Sequence, residues 1–212
     1  MTASVARKTM ASSRAPGRVA REPEASLRIL GIDPGTLRMG YGVVERVGPG
    51  RVAYVECGVI AAPASRDRLE RLGLIGQSLR ELIDELRPHA VALEEAFYGK
   101  NVQSTLALGE ARGVSIFVAA QAGLSVTGYA PAKVKNTIVG SGRATKTQVS
   151  YLVRALLGLR RDPEPDAADA LAIALCHARS VDFATKVPGP ARTRAASRSG
   201  AMKGTTGKRE RS

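Results

Sequence analysis

Between residues 69 and 86, Leu69, Leu72, Ile75, Leu79, Leu82, Ile83 and Leu86 recur at helical spacing, and Pro88 stops the run. The apolar runs on either side are shorter and strand-like. Leu27 to Ile32 ends at the turn signal Asp33-Pro34-Gly35, and residues 41–47 and 51–60 are split by Gly48-Pro49-Gly50. His89 to Leu93 ends at Glu94-Glu95. Three successive strands form an antiparallel meander, and a helix then carries the chain to a further strand. That order commits the chain to a sheet covered by helices.

The pattern continues in the same style. Residues 102–122 predict a long helix, and Leu124 to Tyr129 a fifth strand. Pro131 opens a short helix to Val139, which Gly140-Ser141-Gly142 breaks, and helices at about 145–158 and 166–180 follow. The expected architecture is an α/β domain over residues 27–180: a mixed five-stranded sheet flanked by helices, in the element order of the RNase H-like fold.

The flanks differ in kind. Residues 1–26 and 181–212 are polar, basic and without period, and are expected to be a disordered arm and tail. The arm has no apolar core of a secretory signal, and no run approaches the length of a membrane span. Net charge is +13, but the two flanks carry +9 of it, leaving +4 for residues 27–180. A polyanionic partner is implied, and its binding has to be located by where the cations of the central region sit. Cys57 and Cys176 share no CxxC spacing, which fits core positions in a reducing cytoplasm; His89 and His177 have no metal-ligand spacing.

The acids are better placed. Asp33 closes the first strand and Glu94 the fourth. Open α/β sheets build sites at such strand ends. In a 3-2-1-4-5 sheet the first and fourth strands are neighbours, bringing the two carboxylates together. Glu95 would point to the other face. Asp166 and Asp169, spaced i, i+3 after Pro165, share one face of the last helix. Singly, each has an ordinary explanation: a turn former at Asp33, a helix cap at Asp166, first-turn charge at Asp169. Together they form an all-carboxylate set suited to hard cations such as Mg²⁺. Two such ions roughly 4 Å apart activate water and neutralise charge in phosphodiester cleavage.

The segments GIDPGTLRMGYGVV, VALEEAFYGKNVQSTLALGEARGV, APAKVKNTIVGSGRATKTQV and PDAADALAIALCHA resemble RuvC resolvases in order and spacing, across residues 28–180. The resemblance implies a crossover junction endodeoxyribonuclease that resolves Holliday junctions by paired Mg²⁺-dependent nicks in recombination and repair. Asp33, Glu94, Asp166 and Asp169 would bind two Mg²⁺ per subunit, with Mn²⁺ able to substitute. Lys135 and Lys146 would line the junction-binding cleft, Lys146 approaching the scissile phosphate, and Phe97 would stack on bases at the junction centre. Lys100, Arg112 and Arg143 are further candidates for phosphate contact. The resemblance also implies a homodimer, with the 102–122 helix at its interface, and a RuvA–RuvB branch-migration partner.

Other classes compete. Actin-like kinases and ATPases also follow a strand with D-x-G-T, but need a second domain and phosphate loop that this length does not supply. A non-catalytic RNase H-like binding module would not need all four acids. A nuclease acting on RNA–DNA hybrids would need them, and the Phe97, Lys135 and Lys146 matches favour the resolvase over it.

Overall fold

The computed structural model describes residues 4–7, 26–95 and 101–186. The strands are β1 (Ser4–Arg7), β2 (Leu27–Asp33), β3 (Arg38–Gly48), β4 (Arg51–Ala61), β5 (Ala90–Glu94) and β6 (Ser125–Tyr129). The helices are α1 (Arg68–Leu86), α2 (Val102–Gln121), α3 (Pro131–Val139), α4 (Lys146–Leu157) and α5 (Pro165–Lys186). The strands make one sheet in the order β1-β4-β3-β2-β5-β6. β2, β3 and β4 form the antiparallel meander, while β5 and β6 join parallel to β2. The five expected strands thus stand in the expected order.

Both faces of the sheet are covered, which explains why β2 reads as a continuous apolar run rather than an alternating one. Its successive residues serve different cores: Ile29 packs with α3, α4 and α5, whereas Leu30 and Ile32 pack with α1 and α2. α1 starts in a capping box between Asp67 and Glu70, so its first backbone donors are satisfied before the apolar stripe begins.

α5 lies closest to the sheet, and two glycines make that possible. A Cβ on Gly31 would stand 2.1 Å from the carbonyl oxygen of Ala170, and one on Gly40 would stand 2.0 Å from that of Asp166. The alanine-rich sequence of α5 keeps its own side of the contact thin, with Ala167, Ala170 and Ala174 buried. The start of α5 is thereby clamped against β3, fixing where the Asp166 backbone sits.

Two stretches expected in the tails belong to the fold. Ser4–Arg7 runs antiparallel along the outer edge of β4, with Ser4 opposite Ala61 and Arg7 opposite Gly58, a sixth strand shielding part of an otherwise open edge. At the other end α5 continues past residue 180 and carries Asp182 into the domain. Its carboxylate accepts from Arg46 Nε at 2.5 Å and from the Gly50 amide at 2.8 Å. Both charged side chains are only 9% exposed. The remainder of the expected arm and tail falls outside the described residues. Among the described residues, no helix is long and apolar enough to cross a membrane.

Candidate active site

Asp33 and Glu94 come together because β2 and β5 pair in parallel, Ile32 opposite Leu93, so both strands end in a carboxylate at the same edge. Asp169 reaches the same place from the first turns of α5. The three acids line a cleft of about 190 Å³ with Lys135 of α3 and Lys146 of α4. Lys146 is the first residue of α4, within the Thr145–Gln148 capping box that fixes the helix start, and its Nζ donates to Asp169 Oδ2 at 2.7 Å. That bond holds the lysine more firmly protonated than usual.

The carboxylates repel one another in a poorly solvated place. Burial, then the charges of Glu94, Asp169 and Asp166, push the Asp33 carboxyl up to about 7, against the pull of Lys146. Glu94 is also raised, first by burial and then by Asp169, while Lys146 and Lys135 draw it down. Paired acids whose repulsion raises their own pKa are what a divalent cation relieves, and an all-oxygen donor set suits a hard ion. Among the described residues no three His, Cys, Asp or Glu already stand in a coordination shell. Instead two protein cations hold two of the acids, Lys146 on Asp169 and Arg38 on Asp166.

Asp166 is the exception to the expected convergence. It contributes to the field at Asp33 but does not line the cleft. Its Oδ2 accepts from Arg38 Nε at 2.8 Å, and Arg38 Nη2 also donates to Glu164 Oε2 at 2.6 Å. Arg38 was not among the sequence candidates, and only its place in GTLRMG beside the Asp33 turn hinted at it. Of the other candidates, Arg143 sits on the exposed turn between α3 and α4, outside the cleft lining. Arg112 is half-buried and donates to the backbone carbonyl of Glu94 at 3.3 Å, so it braces the end of β5. Glu95 is exposed and, as expected, absent from the lining. Phe97 and Lys100 lie outside the described residues.

Carboxylates gathered at the ends of neighbouring strands, with lysines beside them in a mixed sheet of this order, define a nuclease of the RNase H-like class. Comparison with known proteins narrows that class. The family described as "Crossover junction endodeoxyribonuclease RuvC" matches residues 29–177. Curated relatives of that name include one from Halorhodospira halophila, 54% identical over 151 residues that cover 71% of this chain and 89% of the relative. Another, from Moorella thermoacetica, is 51% identical over 71% of this chain and 90% of its own length. The solved structure of T. thermophilus RuvC in complex with Holliday junction substrate is 36% identical, covers 75% of this chain and 97% of its own, and superposes with a TM-score of 0.70. The chain belongs to the RuvC family, metal-dependent endonucleases that hydrolyse DNA phosphodiester bonds.

Proposed function

We propose that this protein resolves Holliday junctions as a homodimer, nicking symmetrically related strands with Mg²⁺ held by Asp33, Glu94, Asp166 and Asp169, two ions per subunit, Mn²⁺ substituting. The observation that carries it is the convergence of Asp33, Glu94 and Asp169 with Lys135 and Lys146 in one cleft. The ions would supply an activated water and a Lewis acid for the leaving oxygen. Asp33, partly protonated near neutral pH in this arrangement, must be fully ionised to serve as a ligand. Lys146 would leave Asp169 to meet the phosphate, where a fixed cation favours the more highly charged transition state. Lys135 would guide the DNA backbone, Arg143 and Lys100 would add further phosphate contacts, and Phe97 would stack at the junction centre.

Two symmetric nicks need two sites related by a twofold axis. α2 offers a face for such pairing. Val102, Leu106, Gly109, Gly113 and Phe117 fall on one helical stripe, and Val102, Leu106 and Phe117 are 81%, 57% and 60% exposed. Nothing stands within 4 Å of a Cβ built on Gly109 or Gly113, so a second helix could approach closely there. A cytoplasmic setting fits two buried, unbridged cysteines. A RuvA–RuvB complex would deliver the junction.

The deciding assay is cleavage of a synthetic four-way junction beside a matched linear duplex, with Mg²⁺ or EDTA, for wild type and Asp33→Asn. Paired nicks on the junction alone, dependent on Mg²⁺ and lost in a variant that still binds, are the expected result. Equal cutting of the duplex would reduce the protein to a general nuclease, and binding with no cleavage under any metal would make it a junction-binding module.

A further inference from the structure

Asp166 does not line the cleft that the other three acids share, and its carboxylate is bonded to an exposed arginine. We infer that Arg38, braced by Glu164, is a positioning residue that holds the Asp166 carboxylate off the cleft until a DNA phosphate takes the guanidinium. This rests on reading the four acids as the metal set.

Arg38 opens β3, and its side chain, 51% exposed, reaches across to the start of α5. Two of its five N–H donors are occupied, one on Asp166 and one on Glu164. The side chain that carries the remaining donors is half exposed. An exposed ion pair of this kind is weak, whereas a phosphate can take a guanidinium through two parallel bonds. A DNA phosphate can therefore displace Asp166 from the guanidinium.

What happens to Asp166 on release is constrained by its backbone. The carbonyl of Asp166 lies against β3 where Gly40 leaves no room for a Cβ, so the start of α5 is closely packed there. Freed from Arg38, the carboxylate is left to turn about its side-chain bonds. Asp169, one helical turn away, already lines the cleft while bonded to Lys146, so a cation on a carboxylate does not by itself remove it from the site. Arg38 differs because it pulls from β3, outside the cleft, and is anchored there by Glu164. Metal affinity and DNA binding are then linked through one side chain: completing the acid set is easier once phosphate has drawn Arg38 away.

The test titrates Mn²⁺ into the full chain without DNA, reading free ion by electron paramagnetic resonance, for wild type, Arg38→Gln, Arg38→Lys, Glu164→Gln and Asp169→Asn. Losing the competitor should tighten Mn²⁺ binding roughly fivefold in Arg38→Gln, the scale of an exposed ion pair. Glu164→Gln should move in the same direction, and Arg38→Lys should stay near wild type. Affinity that is unchanged or weaker in Arg38→Gln, with an unaltered melting temperature, overturns the inference, since a residue that merely orients a ligand loosens the metal when removed. Junction binding in EDTA supplies the other half. Arg38→Gln should lower the salt slope of log K by about 1, and an unaltered slope would refute the contact with phosphate. If Asp169→Asn leaves Mn²⁺ affinity untouched, the four-acid reading itself fails and takes this one with it; if Asp169→Asn weakens binding and Arg38→Gln does nothing, only the role of Arg38 falls.

Discussion

Replacing Asp33 by Asn should make the metal-free protein more stable at pH 8, although it removes a residue proposed as essential for cleavage. The Asp33 carboxyl is raised from an ordinary value of 3.8 to about 7, principally by burial and then by Glu94, Asp169 and Asp166. A carboxyl raised in the folded state binds its proton more tightly there than when unfolded. Its contribution is thus unperturbed below about pH 4, and stability declines as pH climbs from there to about 7. The full displacement corresponds to about 4 kcal/mol above pH 7, at about 1.4 kcal/mol per unit. Relaxation of neighbours and entry of water should leave roughly half, about 2 kcal/mol, which is about 4–8 °C for a domain of this size. Thermal melts of wild type and Asp33→Asn in EDTA, at steps from pH 4 to pH 8, would measure it. The two curves should coincide near pH 4 and separate steadily as pH rises, with Asn the more stable. Millimolar Mg²⁺ should then raise the wild-type melting temperature and leave the variant nearly unmoved. Equal melting temperatures at pH 8, or a gap that does not change with pH, would refute the electrostatic account of the cleft.

Other changes separate the roles of neighbouring parts. Lys146→Met should slow single-turnover junction cleavage about 100-fold while altering junction affinity far less, the loss expected of a charge used mainly in the transition state. Asp182→Ala leaves Arg46 buried without the carboxylate that meets it at 2.5 Å, and should cost about 3–5 kcal/mol in chemical denaturation with the cleft chemistry intact. Leu106→Arg, on the exposed stripe of α2, should shift the protein to monomer in sedimentation velocity without lowering its melting temperature as a monomer; a dimer that persists would place the interface elsewhere.

The acids that sequence spacing could find are those whose position follows from one element. Asp33 and Glu94 end apolar runs, and once β2 and β5 were expected as neighbours their approach followed from the parallel register that places Ile32 opposite Leu93. Asp169 needed only the helical period. Arg38 could not be read the same way, because the carboxylate that defines its role lies 128 residues away and belongs to a helix whose distance from β3 is set by Gly40. The same holds for Arg46 and Asp182, 136 residues apart, where polar composition near the tail concealed a buried pair. Ser4–Arg7 is a strand only because β4 offers an edge, so nothing within those four residues announces it. Local pattern therefore located the carboxylates, and long-range packing decided how each is held. That division has a chemical consequence: Lys146 meets Asp169 inside the cleft, whereas Arg38 meets Asp166 outside it. Of the two protein cations bonded to these acids, one lines the cleft and the other lies beyond its lining.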